Sequence, residues 1–139
     1  MELSFNEKMH WVTIIALVVI YGFYFLTVLP PQSPDVSGEQ VVLFVILLVP
    51  LILIFIAGAI VAVVTGRRSE VEDDERDRLI GLKGIRNGAY VLGTGMFAAI
   101  ACALLTDGNF WFIHVLFASL VLSELVESAS QLVYYRWGV

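Results

Sequence analysis

Four long apolar runs alternate with short polar segments along the chain, and their lengths predict a helical membrane protein before any motif is considered. A hydrocarbon core of about 30 Å needs about 20 helical residues to cross it. The first run extends from about Met9 to Leu29 and is stopped by Pro30 and Pro31. It lacks the short apolar region and small-residue cleavage site of a signal peptide, so it is expected to stay in the mature protein. The second run covers about Gln40 to Thr65, with Pro50 predicting a kink because proline lacks an N–H and clashes with the preceding turn. The third starts amphipathically near Asp74; its spanning part is placed at about 79–105 and is fully apolar from about Gly88 to Leu105. The fourth covers about Phe110 to Tyr135. Thr106 to Asn109 leaves room only for a tight turn, which makes helices three and four an antiparallel hairpin. The expected fold class is therefore all-α: one integral membrane domain, a four-helix bundle, with an acidic loop at 66–78.

Charge orients this arrangement. The eight Lys and Arg residues are Lys8, Arg67, Arg68, Arg76, Arg78, Lys83, Arg86 and Arg136, and the segments assigned to the opposite side contain none. Short cytoplasmic loops carry an excess of these residues, which places both termini and the central loop in the cytoplasm and the chain in the inner, cytoplasmic membrane as a multi-pass protein. Trp11, Phe110, Trp111, Tyr134, Tyr135 and Trp137 fall where interfacial aromatic belts belong. Composition agrees: the chain has 139 residues, is 59% hydrophobic and has a mean hydropathy of +0.87, well above a soluble domain. The single cysteine, Cys102, has no partner for an intramolecular disulfide.

Small residues mark where helices approach closely. Gly58, Ala62 and Gly66 in the second helix, and Gly84, Gly88, Ala89, Gly93, Gly95 and Ala99 in the third, repeat at small-xxx-small spacing. Packing within the bundle explains such stripes, and an interface between copies is the sharper reading. So small a bundle has little interior, so a homo-oligomer, a dimer or larger, is expected.

The least ordinary chemistry lies in the fourth helix. Glu124 and Glu127 interrupt an apolar segment and share an arc of about 100° with Ser128 and Gln131, flanked by Ser119, Ser123 and Ser130. Central charged residues cost roughly 2.5–3.5 kcal/mol each on membrane insertion, so these carboxylates must face protein or water, be protonated, or meet a cation. Antiparallel depth matching nominates Arg86, with Lys83 nearby, as the cationic partner of Glu127. No metal or other cofactor is expected: the Glu-x-x-Glu pair lacks the Glu-x-x-His motifs of di-metal bundles, and His10 and His114 belong at opposite membrane faces. No phosphate loop, Ser-His-Asp set or Walker-type lysine supports an enzyme.

The central loop concentrates six of the thirteen acids, Glu70, Glu72, Asp73, Asp74, Glu75 and Asp77, around Arg76. Asp74 and Asp77 suit the N-cap and first turn of the third helix, and acids there complement the helix dipole. Helix capping does not account for so dense a cluster beside an anionic leaflet, and a docking surface for a basic cytosolic partner does. Asp74-Glu75-Arg76, then Ile80 and Lys83, then a membrane helix, resembles the Asp-Glu-Arg-x-x-x-Ile-x-x-Lys-Ala signature of small predicted membrane proteins of unknown function from bacteria and archaea. The chain departs from it at Gly84, where Ala is usual, and carries Gly81 besides. Such proteins are often encoded beside small helix-turn-helix or LytTR-type transcription regulators. The resemblance therefore implies a membrane component that holds or inhibits a regulator, with no catalytic residues and no direct nucleic-acid binding.

Three functional expectations follow, two of which name residues; the third is a purely structural or assembly subunit. In the first, Glu70, Glu72, Asp73, Asp74, Glu75, Arg76 and Asp77 bind a cytosolic regulator. In the second, Glu124, Glu127, Ser123, Ser128, Gln131, Arg86 and Lys83 form the polar lining of a proton- or cation-coupled transporter. Four-helix multidrug exporters use a membrane glutamate in their first helix, whereas no acid lies between Met9 and Leu29 here.

Overall fold

The structure, a computed structural model, describes residues 5–66 and 75–138. Four helices occupy nearly all of them: α1 (Phe5–Val28), α2 (Gly38–Gly66), α3 (Glu75–Leu105) and α4 (Phe110–Trp137). No strand occurs among the described residues. α1, α3 and α4 are each long and apolar enough to cross a membrane. Lipid is the solvent that suits their surfaces: Phe23 and Leu26 on α1 and Phe97, Leu104 and Leu105 on α3 are at least 66% exposed.

The helices extend beyond the apolar runs, and local chemistry accounts for the extensions of α2, α3 and α4. α2 starts at Gly38 because Ser37 and Gln40 form a reciprocal capping box. The Ser37 N–H donates to Gln40 Oε1 at 3.0 Å, and the Gln40 N–H donates to Ser37 Oγ at 3.3 Å. α2 then continues as one helix through Pro50 to Gly66. α3 includes the amphipathic turn from Glu75, with Glu75 and Asp77 at its positive dipole end. α4 ends where Gly138 takes φ 88° and donates its N–H to the Tyr134 carbonyl at 3.0 Å.

α4 is the helix on which α1 and α3 assemble. α3 runs antiparallel to it, with Gly84 beside Gln131, Gly88 beside Ser123 and Glu127, and Gly95 beside Ser119. α1 also runs antiparallel to α4, since Tyr24 meets His114, Tyr21 meets Phe117 at 5.3 Å between ring centroids, and His10 approaches Tyr135. α2 returns along α1, where the Tyr21 hydroxyl reaches the Leu47 carbonyl and Phe44 packs on Phe117 at 4.7 Å. The core is aromatic and narrow: Leu17, Tyr21, Tyr24, Val28, Phe110, Phe117 and Val121.

The loop joining α1 and α2 is fastened to the turn joining α3 and α4. The Phe110 N–H donates to the Pro34 carbonyl at 3.0 Å, and the Asn109 N–H donates to Asp35 Oδ1 at 3.1 Å. Asn109 in turn offers Oδ1 to the Val36 N–H at 2.9 Å instead of capping its own helix. Gly108 sits at φ 76° against the Pro34 carbonyl, a conformation and a space that only glycine accommodates. At the other end, Arg76 donates to the Tyr135 carbonyl at 3.4 Å, so the starts of α1 and α3 and the end of α4 lie together.

Candidate functional site

Two polar arrangements interrupt the apolar interior. The larger is the seam between α3 and α4. Glycines at 84, 88 and 95 let the backbones approach so closely that a Cβ at Gly84 would run into Gln131, and one at Gly95 into Ser119. At Gly88 a Cβ would stand 3.0 Å from the Ser123 carbonyl oxygen and 3.2 Å from Glu127 Cβ. This close approach lets Ser123 Oγ donate across the seam to the Gly88 carbonyl at 3.0 Å, a buried hydrogen bond of the kind that joins membrane helices. Gly84, where the resembled signature has Ala, is therefore the space that Gln131 fills. A methyl group at Gly93 would meet nothing within 4 Å, so the small-residue stripe divides into an inward set and an outward one.

Gln131 and Ser128 are buried, while Glu124 and Glu127 are half-buried. Gln131 Nε2 donates to Glu127 Oε1 at 3.2 Å. Glu124, one turn before Ser128, makes neither a hydrogen bond nor an ion pair among the described residues. The expected pairing of Glu127 with Arg86 does not form: Glu127 takes its hydrogen bond from Gln131, and Arg86 is exposed. Depth matching placed Arg86 at the right level but on the wrong side. It lies two residues from both Gly84 and Gly88, about 200° around the helix from the seam.

Lys83 lies at the edge of the seam, with Nζ 5.7 Å from the centroid of the Tyr134 ring. Asn87, one turn further along, donates through Nδ2 to Ser130 Oγ and to the Tyr134 hydroxyl, both at 3.1 Å. Asn87 is missing from the residues expected on sequence grounds; an amide inside an apolar helix, level with Ser130 across the hairpin, was the available signal. Of the acidic loop, Glu75, Arg76 and Asp77 begin α3, and Glu70, Glu72, Asp73 and Asp74 lie outside the described residues.

The second arrangement is the buried pair Tyr24 and His114. Tyr24 Oη lies 3.0 Å from His114 Nε2, and His114 Nδ1 lies 2.8 Å from the Phe110 carbonyl oxygen. Phe110 stacks on the imidazole at 4.1 Å between centroids. Every polar atom of the imidazole has a partner, which makes this pair a cross-link between α1 and α4. Among the described residues no group of three or more His, Cys, Asp or Glu side chains is placed to hold a metal ion.

No family model, curated protein or solved structure matches the chain. The functional reading therefore stands on these residues.

Proposed function

We propose that this protein is a non-enzymatic, multi-pass component of the cytoplasmic membrane, a four-helix bundle with both termini in the cytoplasm, that docks a basic cytosolic partner on its acidic loop. A transcription regulator is the partner class that the Asp-Glu-Arg resemblance implies. The observation that carries the reading is the contact of Arg76 with the Tyr135 carbonyl. It fixes the first turn of α3 to the end of α4, so the acidic segment ends on a braced hairpin, at the same end of the molecule as the start of α1. Arg76, Arg78, Lys83, Arg86 and Arg136 all lie towards that end, which the charge bias of membrane proteins assigns to the cytoplasm. A homo-oligomer, dimer or larger, fits the scant interior of one copy.

Co-purification from membranes tests this reading. Replacing Glu70, Glu72, Asp73, Asp74 and Glu75 with Gln and Asn should release the cytosolic partner while leaving the chain in the membrane. An unchanged yield of partner counts against the docking loop.

A second reading, a proton- or cation-coupled transporter, is favoured by one observation: Glu124 is half-buried in a membrane-length helix without a hydrogen-bond or ion-pair partner among the described residues. Carboxylates in that position are expensive and mark ion pathways. Flux into proteoliposomes that persists in Glu124→Gln and Glu127→Gln removes it.

A further inference from the structure

On the flank of the α3–α4 seam, an open groove of ≈370 Å³ is lined by Tyr90, Val91, Thr94, Gly95, Ser119 and Leu122, and its walls are almost wholly apolar. The groove exists because Gly95 and Ser119 draw the two backbones together, while Tyr90 (68% exposed) and Leu122 (51% exposed) stand up as its sides. Lys83, Asn87, Tyr90 and Thr94 recur at helical spacing, so one stripe of α3 leads from a cation to the groove. Arg86, exposed, flanks Lys83 one turn along. Neither cation is held in an ion pair among the described residues; Lys83 rests against the Tyr134 ring.

From Lys83 to Thr94 α3 rises about 16 Å, so Thr94 lies about 9 Å inside the apolar stretch that starts at Gly88. Lys83 precedes the apolar stretch that starts at Gly88 by about 8 Å, which puts its ammonium at headgroup level. From these features we infer that the flank of α3 and α4 is a binding site for one anionic glycerophospholipid. The phosphate lies between Lys83 and Arg86, the Tyr134 hydroxyl, which accepts from Asn87 and keeps its own proton to donate, lies beneath it, and an acyl chain lies in the groove between Tyr90 and Leu122. A bare membrane-facing surface would need only an apolar wall. Cations without a counter-charge among the described residues, placed above the mouth of an apolar groove, specify the charge of the occupant. The inference rests on the membrane reading of the helices and is independent of any docking partner.

The test uses the full chain, purified in a mild detergent and stripped of lipid. Thermal unfolding is followed while phosphatidylglycerol, phosphatidylcholine or soluble glycerol phosphate is added. Phosphatidylglycerol should stabilise the protein at lower concentration than phosphatidylcholine, and glycerol phosphate, which has no acyl chain, should have no effect. A cation near an anionic lipid surface contributes about fivefold in affinity, so Lys83→Gln with Arg86→Gln should weaken the phosphatidylglycerol response about 25-fold and leave the phosphatidylcholine response unchanged. Thr94→Trp, an exposed position that fills the groove, should weaken both responses. Equal responses of the unaltered protein to the two lipids overturn the site, and so does a phosphatidylglycerol preference that survives the double substitution. Release of the chain from membranes by alkaline carbonate would instead overturn the membrane reading.

Discussion

The hydroxyl of Tyr24 and the imidazole of His114 meet at 3.0 Å although 90 positions separate them in the chain. A carbonyl oxygen only accepts, so the contact of His114 Nδ1 with the Phe110 carbonyl at 2.8 Å places a proton on Nδ1. In the neutral ring Nε2 is then the acceptor, and Tyr24 donates. The two bonds fix the tautomer and the plane of a side chain that is 3% exposed.

Tyr24→Phe keeps the aromatic packing and leaves Nε2 without its donor. Orphaning a buried acceptor costs about 1–3 kcal/mol in water-soluble proteins, and hydrogen bonds between membrane helices average about 0.6 kcal/mol. A loss of about 1 kcal/mol in detergent or bilayer unfolding is the expected outcome. In a His114→Phe background the same substitution should cost much less, because the acceptor is gone. Equal costs in the two backgrounds would show that the pair is not coupled.

The glycines of α3 should respond to alanine in opposite directions. At Gly88 a methyl group would press on the Ser123 backbone and on Glu127 Cβ, and at Gly95 it would collide with Ser119. Both substitutions should destabilise, by about 1–3 kcal/mol, because the hairpin must open to admit the methyl. Gly93 has nothing within 4 Å, and alanine there should stabilise by up to about 1 kcal/mol through helix propensity alone. Thermal unfolding of the three variants measures the order. A Gly93→Ala variant less stable than Gly88→Ala would contradict this placement of the seam.

The fastening of the two polar connections should be separable from the helices. Asn109→Ala removes the acceptor for the Val36 N–H without touching the α3–α4 seam. The expected result is a loss of about 1 kcal/mol and faster amide exchange at Val36, with exchange inside α4 unchanged. Unchanged exchange at Val36 would mean that the bond contributes nothing to order there.

Element positions were legible because apolar length is a strong signal, and the helix ends were less so because side-chain chemistry decides them. Ser37 and Gln40 carry a capping-box spacing that moves the start of α2 ahead of the apolar run, and this was available in the sequence. The glycine spacing of α3 indicated a seam, but not that Gly84, Gly88 and Gly95 face α4 while Gly93 faces outward; that division depends on which side of α3 the hairpin closes. The same ambiguity misdirected Arg86, whose depth can be counted from the turn but whose azimuth cannot. The Tyr24–His114 bond was beyond reach, since nothing local in either segment names its partner.

Glu124 and Glu127 differ by one hydrogen bond, and that difference gives opposed expectations for leucine substitution. Glu127 accepts from Gln131, so Glu127→Leu removes a carboxyl group and also orphans a buried amide. Glu124 has no such partner among the described residues, and Glu124→Leu removes only the cost of a carboxyl group within a membrane-length helix. A charged residue at the helix centre costs roughly 2.5–3.5 kcal/mol on insertion, part of which hydration or protonation already offsets. Glu124→Leu should therefore stabilise by about 1–2 kcal/mol, and Glu127→Leu should gain less or lose. Unfolding midpoints in one detergent decide the order. A destabilised Glu124→Leu variant would mean that this carboxyl group has a partner beyond the described residues, and cross-linking of copies through a cysteine at position 124 would then test whether a second copy supplies it. If Glu124→Leu is more stable but loses ion flux or partner capture, the carboxyl group is kept for function at a cost in stability, the usual relation at working sites.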